Sequence, residues 1–317
     1  MQQAEYNPEE NKLPGGVSED QLRKAVERSG YPLQRSIGEQ LRAWFDVAEE
    51  WGYVDREKED QRSLDLLASR EIKPCNRLSA MLALLVECKR TDLPYIFFEA
   101  ITTRPPRDFP IVAGLQGKDL QIHTDDRRST SAPPSRVLGL KECSFVADGP
   151  PMCSAMARAE RKGKELDLSG TVPFNKAVLP LVSAADYFVD LQKRITSYHG
   201  RIPVCLTHLI CVVDGGMVLA RGQPSSPQLS MCPWVRLTRQ EAARSSQQSS
   251  GFWRHYAVDF VHRFYVARFL ADHVFPFADE FARRVECVED LLVEGVARVP
   301  ALEEWEFKDV TRLAKTG

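Results

Sequence analysis

Residues 80–98 read AMLALLVECKRTDLPYIFF, and residues 63–69 read SLDLLAS. The first stretch opens with an unbroken apolar run, Ala80–Val86, which predicts a strand over Leu78–Lys89 buried on both faces. Side chains alternate along a strand, so Glu87 and Lys89 leave its end on one face, roughly 7 Å apart, while Cys88 points into the opposite layer. Placing two charges where a buried strand emerges is costly unless they pair or bind something. Asp65 supplies a second carboxylate, with Leu64 and Leu66 expected on the other face of its strand. If the two strands are neighbours, Asp65 and Glu87 converge on one cation. Two carboxylates with room for water and phosphate oxygens suit Mg²⁺. A lysine beside such a metal can orient a water and screen charge developing on phosphorus. The same spacing supports a structural Glu–Lys pair equally well, with Asp65 in a turn.

The tripeptide Glu-x-Lys alone says little, because it recurs, for instance at Glu71–Lys73 and Glu306–Lys308. The former runs into Pro74 and the latter lies in a polar tail, so both read as solvated charge. Other site patterns are missing: the chain has no GxSxG, HExxH or GxGxxG. GLQGKD at 114–119 is too short between its glycines for a phosphate loop, and Asp119 stands where a Mg-binding hydroxyl is needed. His208, inside the apolar run VCLTHLICVV, reads as a hydrogen-bonded core histidine.

Working outward, residues 1–16 read as a disordered tail, and Ser18 with Gln21 forms a capping box opening a short helix that stops at Gly30. Ser36 and Glu39 form a second box. Behind it Ile37, Leu41, Trp44, Phe45 and Ala48 recur at helical spacing, which predicts a helix over Ser36–Glu50 with those residues on its buried stripe. Strands are expected at Trp51–Glu57 and Ser63–Ser69, around the turn REKEDQR, and at Tyr95–Ala100. Residues 102–170, rich in Pro, Arg, Gly and Ser, read as an ordered insertion with a mobile tip at TSAPPS. A helix over Thr171–Tyr198 and a strand at Val204–Val213 follow, and Asp214-Gly215-Gly216 then turns into Met217–Ala220. Strands at Pro233–Leu237 and His255–Phe260 come next, then a helix from about Phe264 to Arg284. One domain over 17–290 is expected, with a helical tail over 291–317.

The chain has 317 residues, 43% hydrophobic and 27% charged, enough to bury a real core. A balance of 42 Lys+Arg against 44 Asp+Glu excludes a generally basic nucleic-acid coat but leaves room for a local basic face. Eight cysteines form no CxxC, and several lie in apolar runs as buried thiols would. The N-terminus lacks an apolar signal region, and no apolar stretch approaches the ~18 residues of a membrane span. A cytoplasmic protein with no membrane partner is expected.

Taken together, SLDLLAS…LLVECKRTDLPYIFF resembles the PD-(D/E)XK nuclease superfamily, the restriction-endonuclease-like fold. The ECK at 87–89, followed by a Pro-aromatic-x-Phe segment, carries most of the likeness. It covers residues 30–100, and residues 170–215 by order of elements only. The resemblance implies an α/β fold with a restriction-endonuclease-like core: a mixed central sheet flanked by helices, in the order α-β-β-β-α-β. Ser36–Glu50, Trp51–Glu57, Ser63–Ser69, Leu82–Lys89, Thr171–Tyr198 and Val204–Val213 would carry it, with a long insertion and a C-terminal helical extension. The resemblance further implies an endonuclease dependent on Mg²⁺ (or Mn²⁺) that hydrolyses phosphodiester bonds in DNA. Asp65 and Glu87 would hold the metal with the Cys88 backbone carbonyl, and Lys89 would position the attacking water. Leu64 stands where the motif name has proline. Glu39 falls on the first helix, where many relatives place a further acidic ligand; its other role is the capping box. DNA is the implied partner, with RNA left open, alongside a homodimer or a targeting protein; the implied setting is defence against foreign DNA. The fold also has members without activity, so the alternative is a nucleic-acid-binding or assembly subunit.

A polyphosphate needs cations to hold it. The candidates are Arg90, Arg104 and Arg107 near the site, and the cluster Arg158, Arg161, Lys162 and Lys164. That cluster also contains Glu160 and Glu165 and reads equally as a solvated helix face. Set against a net charge of -2, the carboxylates predict a divided surface, with an acidic pocket inside a basic rim.

Overall fold

The structure, a computed structural model, describes residues 6–55, 59–101, 109–115, 119–195, 198–223, 225–242, 253–302 and 305–311. Helix α1 (Glu19–Arg28) is opened by the Ser18–Gln21 capping box. Helix α2 (Tyr31–Leu41) follows, with Pro32 in its first turn, and buries Leu33, Gln34, Ile37, Gly38 and Leu41 along one face. An antiparallel meander comes next: β1 (Asp46–Asp55), β2 (Asp60–Pro74) and β3 (Leu78–Arg90). The middle stretch supplies β4 (Tyr95–Glu99), β5 (Ile111–Ala113), β6 (Leu120–Thr124), β7 (Ser129–Ala132), β8 (Met152–Lys162) and β9 (Glu165–Ser169). Helix α3 (Thr171–Arg194) then returns the chain to β10 (Ile202–Asp214). After it come β11 (Met217–Arg221), β12 (Gln228–Met231), β13 (Trp234–Ala242), β14 (Trp253–His262), helices α4 (Phe275–Cys287) and α5 (Glu289–Glu294), and β15 (Val296–Val299).

The protein is therefore mixed α/β. The main sheet runs β1-β2-β3-β10-β14-β13-β8-β4-β11-β12, with β5 added to β10 and β9 to β8. Strands β3 and β10 are parallel over Leu78–Arg90 and Ile202–Asp214, the pairing a helical crossover permits. A second, small sheet is ordered β15-β6-β7. Among the described residues no helix is long and apolar enough to cross a membrane.

Both faces of β3 are covered, which is why its sequence is continuously apolar. Leu82, Leu84, Val86 and Cys88 join a core layer with α2 and α4 residues such as Ile37 and Phe281. Ala83 and Leu85 join the opposite layer, where α3 packs Ala177, Leu181 and Phe188. Leu82, Leu84 and Leu85 are fully buried, each contributing about 1.5–3 kcal/mol of apolar burial. The two residues that continue the α3 side of β3 are Glu87 and Lys89.

Several expectations are corrected. The helix expected over Ser36–Glu50 ends at Leu41, and β1 begins at Asp46. Ser36 lies inside α2 rather than at its start, so no capping box forms there. Beyond Leu41 the chain turns, which buries Phe45 but leaves Trp44 40% exposed, outside the expected stripe. The segment expected as an insertion places β8 within the main sheet, between β13 and β4. The turn at Asp214–Gly216 leads into β11 as expected, and β11 pairs with β4 and β12. The tail over 291–317 is not helical throughout. Left-handed Gly295 ends α5, and β-branched Val296 and Val299 enter a strand paired with β6. Of the expected disordered tail, residues 1–5 lie outside the described residues.

Candidate active site

The meander breaks its own alternation where the carboxylates meet. Strands β2 and β3 stay paired through Leu66 and Val86, the last pair in their ladder. The Asp65 carboxylate takes over from there: the Cys88 amide donates to its Oδ2 at 2.6 Å. Opposite Asp65 in β1, Glu50 adopts a left-handed backbone (φ 47°), a conformation sparsely used by residues with a Cβ. Beyond this point the β1–β2 hairpin curls. Leu66 packs in the α2–α4 layer, but Leu64 packs in the α3 layer, so these neighbours do not share a face as alternation predicts. Trp51 follows it over, its ring 5.8 Å from Tyr187 and 6.0 Å from Phe188 on α3. The curl carries Tyr53 and Leu64 into the α3 layer with Ala83 and Leu85 of β3.

From α2, buried Gln34 fixes this arrangement. Its Nε2 donates to Glu50 Oε1 at 2.8 Å and to the Asp65 carbonyl at 3.0 Å. Ser63 Oγ donates to Glu50 Oε2 at 2.8 Å. At the centre, the Lys89 ammonium is ion-paired to Glu87 Oε1. Glu87 is 6% exposed, and its other oxygen, Oε2, is buried without a hydrogen-bond partner. A buried, unmatched carboxylate oxygen is expensive.

The electrostatics follow from that burial. Desolvation lifts the Glu87 carboxyl from its ordinary 4.5 to about 7; Lys89 opposes the shift and the Asp65 charge reinforces it. Asp65 is also raised, by burial first and by the Glu50 charge, against the pull of the Cys88 amide and Lys89. Burial works against the Lys89 charge, but attraction and hydrogen bonding to Glu87 outweigh it, and its pKa rises. Lys89 is therefore a held cation rather than a ready proton acceptor.

The structure pairs Lys89 with Glu87, sets the Asp65 carboxylate on the amide of the intervening Cys88, where its charge bears on Glu87, and does not add Glu39. That residue projects from the solvent side of α2, where Arg35 pairs with it at 3.0 Å and its side chain is 59% exposed. No three His, Cys, Asp or Glu side chains converge as a metal-binding group among the described residues. The acid nearest to the expected role of Glu39 is Glu50, whose charge bears directly on Asp65. Its position in a strand rather than a helix hid it, and only a register for β1 would have placed it opposite Asp65.

Among the phosphate-binding candidates, Arg90 is exposed and lines a cleft with Arg158 and Arg161. That cleft begins one residue beyond Lys89. A second cleft, between Arg90, Arg263 and Pro32, shares the same arginine. The basic cluster lies on the β8–β9 hairpin, not on a helix. Lys162 reaches Asp167 at 3.6 Å, Arg158 pairs with Glu160 at 2.7 Å, and Lys164 is exposed at the turn. Arg104 and Arg107 lie outside the described residues. Of GLQGKD, Gly114 is explained by packing: a side chain there (φ 99°) would meet the Pro203 carbonyl of β10, and residues 116–118 lie outside the described residues. His208 is a core residue as expected, but neither ring nitrogen has a hydrogen-bond partner, and burial drives its pKa down to about 3. No protein-family model, curated protein or solved structure matches this chain.

Proposed function

We propose that the chain is a metal-dependent nuclease with a restriction-endonuclease-like core, hydrolysing phosphodiester bonds in DNA. The observation that carries this reading is the buried Glu87 oxygen left unpartnered beside Asp65 and Lys89. The succession α2-β1-β2-β3, then α3 and β10, with β1–β3 antiparallel and β10 parallel to β3, supports the core the resemblance implies.

The residues present suit a divalent cation that accepts oxygen ligands and keeps part of its water shell. Asp65, Glu87 and the Cys88 carbonyl would hold Mg²⁺ or Mn²⁺. Such an ion would supply Lewis-acid polarisation of the phosphate. The chain's own residues do the rest. The Cys88 amide and Gln34 fix the side chain and backbone of Asp65, respectively. Lys89, kept protonated, orients a water toward phosphorus and offsets the negative charge that develops there. Arg90, Arg158 and Arg161 receive the neighbouring phosphates, and each such contact makes binding salt-dependent.

Purified protein incubated with plasmid, single-stranded DNA and RNA, in Mg²⁺ or EDTA, tests the proposal beside Glu87→Ala and Lys89→Ala. Metal-dependent cleavage abolished by both substitutions is expected; cleavage in EDTA or by either variant contradicts it. One observation favours a second reading, a nucleic-acid-binding subunit without catalysis: among the described residues no three His, Cys, Asp or Glu side chains gather where a metal ion could bind. Salt-sensitive binding with no cleavage is its signature.

A further inference from the structure

Three neighbouring parallel strands, β3, β10 and β14, end side by side. Their register sets Lys89, Val213 and His262 in one row, with Arg90 and Asp214 paired in the next. Val258 and Phe260 of β14 pack in the α3 layer, so alternation sends His262 out on the same face as Lys89. Two strand spacings, roughly 10 Å, separate the backbones of those two residues. Beyond His262 the chain makes a 3₁₀ turn, Arg263–Tyr265, in which Phe264 is 82% exposed. A lone exposed aromatic means little by itself. This one is held in place. Asp214 pairs with Arg263 at 2.9 Å, the Arg263 guanidinium lies 4.8 Å from the centre of the Phe264 ring, and the His262 ring lies 5.6 Å from it. Arg263 also lines the cleft it shares with Arg90, where its ion pair neutralises Asp214 and Glu27 is the other carboxylate. From Arg90, exposed at the end of β3, the second cleft leads on to Arg158 and Arg161.

We infer that Phe264 is a stacking platform for an unpaired base next to the phosphodiester bound at Asp65, Glu87 and Lys89, with Arg263 and Arg90 receiving phosphates on that side. The inference rests on the nuclease reading and names the form of its substrate, a strand whose base beside the cut is unpaired. Ligands of sheets with parallel strands gather beyond the carboxyl ends of those strands, where Lys89, Arg90, Asp214 and Arg263 all lie. A cationic groove bordered by an exposed aromatic ring grips a single strand, because every base offers a π face while its phosphates need only positive charge. In an intact duplex each base is stacked on its neighbours, and none has a face free for Phe264.

The test compares Phe264→Ala and Phe264→Trp with the wild-type protein in binding a fluorescein-labelled short oligothymidylate and a short DNA duplex, in EDTA at low salt, with thermal unfolding alongside. Phe264→Ala should bind the single strand at least about fivefold more weakly, the low end of what one stacked base contributes, and the duplex within about twofold of wild type. Its melting temperature should hold, because a ring 82% exposed adds little burial. Phe264→Trp should restore single-strand binding, and unlabelled oligothymidylate should quench the fluorescence it adds. Single-strand binding by Phe264→Ala within about twofold of wild type, equal weakening of both forms, a loss that accompanies a fall in melting temperature, or unquenched Phe264→Trp fluorescence overturns the platform. Plasmid nicking in Mg²⁺ reads the nuclease account separately. A protein that nicks without dependence of binding on Phe264 loses the platform alone; one that neither nicks plasmid nor binds either form loses both.

Discussion

Replacing Glu87 by glutamine should change the pH dependence of stability in a predictable direction. In the folded chain burial lifts this carboxyl from its ordinary 4.5 to about 7, whereas in the unfolded chain it returns to the ordinary value. The folded state thus holds the proton more tightly. The stability this provides is complete below about pH 4.5 and is lost as pH rises through about 7. At about 1.36 kcal/mol per pH unit, that difference amounts to about 3 kcal/mol by pH 8. Glutamine keeps the shape and cannot ionise, so it lacks this decline. The substitution also deprives Lys89 of its partner. The lost attraction adds no separate pH dependence, because the folded value of about 7 already includes the pull of Lys89 on Glu87. Urea unfolding at 25 °C, followed by tryptophan fluorescence between pH 4.5 and 8.5, measures the quantity directly. The stability of Glu87→Gln relative to wild type should climb by up to about 3 kcal/mol as pH rises. A difference that stays level to within about 0.5 kcal/mol would refute the burial argument and, with it, the costly unmatched carboxylate.

Cleavage should follow the same titration with the opposite benefit. Protons compete with a cation for Glu87, so at Mg²⁺ well below saturation the rate should rise with pH through about 7 and level off above it, and a profile flat from pH 5.5 to 8.5 would count against Glu87 as a ligand. Away from the site, Arg236 and Asp259 form a fully buried pair, at 2.9 Å and 3.2 Å, that also receives Trp234 Nε1. Asp259→Ala should cost about 3–5 kcal/mol in urea unfolding by stranding the guanidinium, whereas Arg236→Met with Asp259→Leu should recover most of it; equal loss in both would refute the pairing argument.

The centre of the fold was legible because Ala80–Val86 admits one reading, a strand buried on both faces, and β3 is that strand. Strand alternation then put Glu87 and Lys89 on one face, as found. Legibility failed where tertiary contacts override local pattern. Trp44, Phe45 and Ala48 continue a helical period, yet the chain leaves α2 at Leu41, and Ala48 pairs with Leu67 in a strand. The Asp65 neighbourhood depends on a left-handed Glu50 and a curled hairpin, and neither residue type nor spacing signals a positive φ at a glutamate. Gln34 was invisible for the same reason. Its role exists only once β1, β2 and α2 are assembled around the end of β3.

The most direct measurement is the nicking of supercoiled plasmid by purified protein as Mg²⁺ is raised, beside Asp65→Asn. This substitution keeps the side chain's size and removes the charge opposite Glu87. The account predicts nicking that saturates with Mg²⁺, vanishes in EDTA and is lost in the variant. Plasmid left intact at every metal concentration, or nicked equally well by Asp65→Asn, would contradict it.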